Sequence, residues 1–476
     1  MKRENLEKLD KSALIDIILV MQEQIIALVA KVAELEARLN QNSQNSSKPP
    51  SSDVFVKPKS LRKPSGKKSG GQEGHEGNGL KIKREPDQIV THDPTKCANC
   101  PKRETCSAVG ETIETRYELD IEIRPSLTAH RTNRKICSMT GEILTGEFPE
   151  GINSTMQYGV NIESLAVSLN TIGTVSINRT HEILRDVFDI PISTGTISSM
   201  VKDCAEDVAE PVTEIGQEIL EQPVVHFDET GTRVAGELQW THVASTPELT
   251  YLSVHKKRGK DAMNEIGILP NYRGKGIHDC LSSYFTYLLM LHQLCCAHLL
   301  RELTGIIENF GQAWAQRMAD LLVEMKNLKE KLIDQHHTEA SLELREKYSR
   351  MYDEIMAEAL EENPVPPEEP NKRGRPKRGK AGALVDRLIL RKENYMLFFN
   401  DFEVPFDNNQ AERDFRMFKV KQKVSGCFRT KEGAEDYAAI MSYVGTARKM
   451  GFSAFQAIKA ALLKKPFSLK KAGATL

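Results

Sequence analysis

The chain has 476 residues, with 65 Lys plus Arg against 66 Asp plus Glu and nine cysteines. Its length, about three domains of ordinary size, excludes a peptide hormone or a disulfide-stapled mini-protein, and the balanced charge leaves any nucleic-acid or membrane signal to local segments. The odd cysteine count and the adjacent Cys295 and Cys296 fit a reducing, cytoplasmic compartment.

No secretory signal follows Met1, and the apolar run 288–300 is short and carries two histidines, so no membrane span is expected. Within residues 1–41, Leu14, Ile18, Met21, Ile25, Leu28, Val32, Leu35 and Leu39 alternate at spacings of four and three. That heptad pattern predicts a coiled-coil helix and a homodimer or higher assembly. Residues 42–90 lose the period and become rich in Asn, Ser, Pro, Gly and Lys, which predicts a flexible basic linker.

Residues 91–150 hold Cys97-Ala-Asn-Cys100, then Cys106 and Cys137. A Cys-x-x-Cys turn aims two thiolates at one tetrahedral Zn²⁺, so a small zinc module is expected from Cys97, Cys100, Cys137 and either Cys106 or His130. Thr140 stands where a second knuckle would carry cysteine.

Residues 151–222 read as helical. A break at Ile190-Pro191-Ile192 and a cap at Ser193 or Thr194 permit a helix-turn-helix or a plain hairpin. From 223 the pattern becomes strand, strand, strand, helix, strand, with a fifth strand at 291–296. A polar helical insertion, 306–383, interrupts this core, which resumes over 384–445 before a C-terminal helix and basic tail, 446–476. The insertion ends in a basic run whose Arg373-Gly-Arg375-Pro suits a narrow minor groove.

Three acids stand out. Asp228 is read as ending the first strand and Asp279 the fourth, while Glu412 falls in the first turn of a helix opened by Asp407-Asn408-Asn409. If the first and fourth strands adjoin, as in a ribonuclease-H-like sheet, these acids converge and suit two Mg²⁺ or Mn²⁺ ions on a phosphodiester. The bland alternatives are a surface Asp-Glu pair for Asp228, a turn for Asp279, and a capping box or helix ion pair for Glu412. Arg413, Arg416, Lys419, Lys421 and Lys423 follow Glu412 closely, an asymmetry that points to DNA.

The fold class expected is multidomain α+β, with the coiled-coil helix, the zinc module, a helical DNA-binding region and a ribonuclease-H-like core. Several stretches carry a resemblance: 42–53, Gly71-Gln72-Glu73-Gly74-His75, Phe227-Asp228-Glu229-Thr230-Gly231, Asn408-Asn409-Gln410-Ala411-Glu412-Arg413, and Lys421-Gln422-Lys423-Val424-Ser425-Gly426. In these the chain resembles the IS-sixty-six family of bacterial insertion-sequence transposases. The resemblance implies an Asp-Asp-Glu triad of Asp228, Asp279 and Glu412, and an accessory Cys-x-x-His segment, Cys295 to His298. Its implied partners are terminal inverted repeats, target DNA and small accessory proteins of the same element, in a nucleoid-associated setting. The competing readings are a DNA-binding repressor without catalysis and a metal-dependent nuclease that cuts without joining.

Overall fold

The computed structural model describes residues 10–46, 84–92, 94–121, 123–365 and 378–469. The chain divides into two compact units, Lys59–Arg124 and the remainder. In the smaller unit the described elements are a one-turn helix, Thr95–Ala98, and a 3₁₀ turn, Arg103–Thr105.

In the larger unit, helix α1 (Lys11–Leu39) is capped by Asp10, whose carboxylate accepts the Ala13 N–H at 2.7 Å. Its heptad residues Ile18, Met21, Ile25, Leu28, Val32 and Leu35 are exposed. The chain then folds into a knuckle rather than entering the expected linker at once. Asn45 Oδ1 accepts the Asn42 N–H at 2.8 Å, Asn42 Oδ1 accepts the Gln44 N–H at 2.8 Å, and Asn45 Nδ2 donates to Glu308 at 2.7 Å. These Asx turns bury Ser43, Asn45 and Ser46, so the polar composition that reads as a tether serves local backbone bonding instead.

A hairpin of β1 (Arg134–Ile136) and β2 (Ile143–Thr145) turns through Gly141, whose φ of +73° suits glycine. Helices α2 (Val160–Asn170), α3 (Ile177–Asp186), α4 (Thr194–Asp207) and α5 (Ala209–Leu220) follow. The break expected at 190–192 lies between α3 and α4, and the Ser193 hydroxyl caps α4 by accepting the Thr196 N–H at 3.0 Å.

The central sheet has five strands: β3 (Val224–Val234), β4 (Glu237–Ser245), β5 (Thr250–His255), β6 (Lys275–His278) and β7 (Leu291–Leu294), in the order β5-β4-β3-β6-β7. Helix α6 (Lys260–Ile266) joins β5 to β6. The first and fourth strands do adjoin: β3 pairs parallel with β6 over Val224–His226, while β4 runs antiparallel to both its neighbours. Asp228, however, does not end its strand, because β3 continues to Val234 in a long hairpin with β4.

Helix α7 (Cys296–Phe310) shares one core with the insertion helices α8 (Ala313–Asp334) and α9 (Leu342–Glu362) and with α10 (Gly379–Leu390) and α11 (Lys392–Asn400). Trp314, Tyr352, Phe398 and Phe399 fill that core, which also takes in Ile277 of β6 and Leu294 of β7, so the insertion is fused to the sheet. The short helices α12 (Asn409–Asp414) and α13 (Arg416–Ser425) lead to α14 (Lys431–Lys449) and α15 (Ala454–Leu462).

Helix α14 lies against edge strand β5. The Leu252 N–H donates to the Ser442 hydroxyl at 2.8 Å and the Thr250 N–H to the Thr446 hydroxyl at 3.0 Å, which satisfies donors that an edge strand would otherwise leave open. The other side of α14 joins α15, α2 and α4 in a second core, so the helical segment 151–222 is completed by residues more than 200 positions later. No helix among the described residues is long and apolar enough to cross a membrane.

Candidate active site

The β3–β6 register matches His226 to Ile277, and carried on two residues it sets Asp228 level with Asp279. One oxygen of each carboxylate is tied to nearby backbone: Asp228 Oδ1 accepts the Glu229 N–H at 2.8 Å and Asp279 Oδ1 the Leu281 N–H at 2.9 Å. Those bonds fix the direction in which each carboxylate points.

Asp228 is held well above the ordinary carboxylate range by burial first, then by the negative charges of Glu229 and Asp279, with Glu412 adding to them. Glu412 is itself raised, chiefly by burial, which Arg301 opposes. Its neighbours on α7 are His298 at 3.9 Å and Arg301 at 3.8 Å, too far for hydrogen bonds. Burial lowers His298 to about 4, so at neutral pH it is an uncharged neighbour rather than an ion-pair partner. Neither bland account of Glu412 is seen, since α12 has no side-chain cap and the basic side chains within 4 Å of Glu412 are His298 and Arg301 rather than Arg416.

Asn408 links these elements. It is fully buried, its amide donates to the Phe227 carbonyl at 2.8 Å, and its carbonyl meets His226 Nδ1 at 2.9 Å. Its backbone N–H donates to Cys295 Sγ at 3.2 Å. Asn408 thus continues the bonding of β3 where pairing with β6 has ended, and pins the start of α12 to both β3 and the entry of α7. The sequence suggested only a helix cap here.

Glu229 was also missed. Its side chain is wholly buried, accepts the Tyr284 hydroxyl at 2.6 Å and Arg258 Nε at 2.7 Å, and titrates at about 6, raised by burial and then by Asp279. Alternation along β3 was the available signal, but β3 is buried on both faces at this point, which erases it.

The basic residues after Glu412 divide. Arg413, Arg416 and Lys423 are exposed. Lys419 is half-buried and donates to the Gly231 carbonyl at 2.9 Å, close enough for Asp228 to act on its charge. Lys421, expected to meet phosphate, is buried and donates to the carbonyls of Asn170 at 2.7 Å and Val175 at 3.1 Å, closing the end of α2. Period 3.6 explains the difference: positions 419 and 423 lie one turn apart, and 421 is on the opposite side. Arg373 and Arg375 lie outside the described residues, and Arg378 just after them is buried against Asp386.

Cys97, Cys100, Cys106 and His130 are exposed. Cys137, at the β1–β2 turn, has its thiol lowered first by a hydrogen bond from Thr140, the residue occupying the place of a second knuckle cysteine. Among the described residues no three of His, Cys, Asp and Glu are grouped to hold a metal ion. Of the expected zinc ligands, Cys97, Cys100 and Cys106 lie in the unit Lys59–Arg124, and Cys137 and His130 in the remainder. The carboxylates differ in one respect: Asp228 is destabilised by three other acids, a surplus of negative charge on hard oxygens that Mg²⁺ or Mn²⁺ would relieve.

Residues 155–436, more than half of the chain, match a family model described as Transposase IS66 family. Residues 2–81 match one described as a family of unknown function (DUF6444). No curated protein matches the chain.

Proposed function

The chain belongs to the transposase IS66 family, and from that premise we propose that it cuts DNA at the terminal inverted repeats of an insertion sequence and joins the freed ends to target DNA through a ribonuclease-H-like centre. The observation that carries this reading is the parallel pairing of β3 with β6, which sets Asp228 level with Asp279, together with Asn408, which ties the start of the Glu412 helix to β3. Divalent cations held by Asp228, Asp279 and Glu412 would activate water and neutralise charge on the scissile phosphate.

The chain's own residues supply the rest. The backbone bonds at Asp228 and Asp279 keep one oxygen of each carboxylate occupied and orient the other. Asn408 holds the Glu412 helix to β3. Exposed Arg413, Arg416 and Lys423 attract the phosphate backbone. In the first step a water oxygen bonds to phosphorus as the bond to the 3′ oxygen breaks. In the second, the freed 3′-hydroxyl attacks a target phosphodiester in line, so the number of phosphodiesters is conserved in the joining step. No covalent protein intermediate is required. The exposed seam of α1 pairs two copies, one for each end of the element, and small accessory proteins of the element complete the assembly.

The test uses end-labelled terminal-repeat DNA with Mg²⁺ or Mn²⁺, scoring binding, nicking and joined product separately. Asp228→Asn, Asp279→Asn and Glu412→Gln should each abolish nicking while retaining binding. Wild-type binding without nicking would make the chain a repressor, and nicking without joined product would make it a nuclease.

A further inference from the structure

Arg258 faces the carboxylates from the loop between β5 and α6. Its Nε and Nη2 lie 2.7 Å from Glu229 Oε1, whereas Nη2 lies 3.5 Å from Asp279 Oδ2. The guanidinium is thus anchored on Glu229 and only leans on Asp279. Glu229 cannot swing away, because it is fully buried and holds the Tyr284 hydroxyl at 2.6 Å. The Trp240 ring, 4.9 Å from the guanidinium carbon, supports the flat face of the fork. The remaining Asp279 oxygen, Oδ1, is committed to the Leu281 N–H, so the oxygen Arg258 touches is the one with capacity for another cation.

We propose that Arg258 is a positioning residue, clamped by Glu229, that orients Asp279 and competes with an incoming divalent cation for Asp279 Oδ2. The inference rests on the catalytic reading above and adds a group that the triad does not contain. Two positive charges cannot share one carboxylate oxygen without repulsion, so the cation must push the guanidinium back onto Glu229. Glu229 is the stronger partner, at 2.7 Å against 3.5 Å, and makes that retreat possible. The pair therefore sets how tightly the centre takes its metal: Arg258 weakens binding, and Glu229 strengthens it by drawing Arg258 away. Both also keep Asp279 correctly aimed for the reaction.

This predicts opposite signs for two neighbouring substitutions. Mn²⁺ binding to the full-length chain without DNA is measured by calorimetry, alongside nicking of terminal-repeat DNA at saturating Mn²⁺. Arg258→Gln should bind Mn²⁺ about tenfold more tightly, through loss of a nearby positive charge, and Glu229→Gln about tenfold more weakly, as Arg258 transfers to Asp279. Both should nick about a hundredfold more slowly, the scale for losing one preorganised charged group at a centre of this kind. Arg258→Lys keeps the charge but loses the fork, and should bind Mn²⁺ about threefold more tightly with thermal stability near wild type. A purely structural role would weaken binding in all three.

Weaker or unchanged Mn²⁺ affinity in Arg258→Gln overturns the proposal, and if that variant does not fold, unchanged affinity in Arg258→Lys does so. Failure of the catalytic reading looks different: wild type itself then neither nicks nor distinguishes Mn²⁺ from buffer.

Discussion

Replacing Asn408 with alanine should remove two buried hydrogen bonds and leave the groups they serve without replacements. The Phe227 carbonyl, 2.8 Å from the amide, and His226 Nδ1, 2.9 Å from its oxygen, both belong to buried residues. A buried polar atom stripped of its partner costs about 1–3 kcal/mol, so Asn408→Ala should lose about 3 kcal/mol of unfolding free energy, against about 0.5 kcal/mol for an ordinary surface change. Urea unfolding followed by circular dichroism reads this directly. Because α12 begins at Asn409 and carries Glu412, nicking should also fall at temperatures where the variant is fully folded. A variant within about 0.5 kcal/mol of wild type would refute the view that Asn408 staples the Glu412 helix to β3.

Burial lowers His242 to about 4, below its ordinary 6.5. The unfolded chain therefore binds the extra proton first, and this residue's contribution to stability, full above pH 6.5, is lost as pH falls toward 4, by about 1.4 kcal/mol per pH unit within that window. His242→Gln should flatten the acid limb of stability against pH by one proton, and an unchanged limb would exclude the residue. Lys423→Ala should reduce the salt dependence of DNA binding by roughly one phosphate contact, while Lys421→Ala should leave that slope unchanged and lower the melting temperature, since its ammonium closes the end of α2. Charging the α1 seam with Ile25→Asp should halve the mass seen by light scattering, and an unchanged mass would remove the helix from the assembly.

The parts of this molecule that were legible in the sequence are those whose signals are local. The period of α1, the Pro191 break with its Ser193 cap, and the succession of strands along the chain around Asp228 and Asp279 follow from neighbours in the chain, whereas the pairing of β3 with β6 does not. Asp228, Asp279 and Glu412 could be singled out as candidates because acids in such positions are conspicuous and the motifs around Asp228 and Glu412 are specific. Their supports were not visible. Asn408 bonds to residues 181 and 182 positions away, and Arg258 reaches Glu229 across 29 positions and two strand turns. Nothing in composition distinguishes such an Asn from a helix cap or such a Glu from a surface acid. Lys421 misleads for the same reason, since a lysine that caps a helix end 251 residues earlier looks like one more member of a basic run.

Helix α7 gathers the parts that sequence separates. Its entry is held by Phe406, whose carbonyl accepts the Cys296 N–H at 3.0 Å, and by Cys295 at Asn408. Its middle presents Arg301 to Glu412 and pairs Glu302 with Arg387 of α10. Its last turns receive the Asn42–Ser46 knuckle that follows the α1 seam, through Glu308 and Gly305. A rigid helix touching all of these can transmit a disturbance at the knuckle toward Glu412. Gly305 gives the means to test that linkage. A Cβ there would lie 2.3 Å from the Asn45 carbonyl oxygen, a backbone atom, so the knuckle must move. In an unencumbered helix Gly→Ala adds about 1 kcal/mol of stability. Here the sign should invert: Gly305→Ala should melt below wild type, expose Arg38 to faster tryptic cleavage, and slow nicking without altering DNA affinity. A variant that melts higher than wild type, with cleavage unchanged, would mean that the knuckle is not seated on α7 and that the α1 seam has no route to the carboxylates through it.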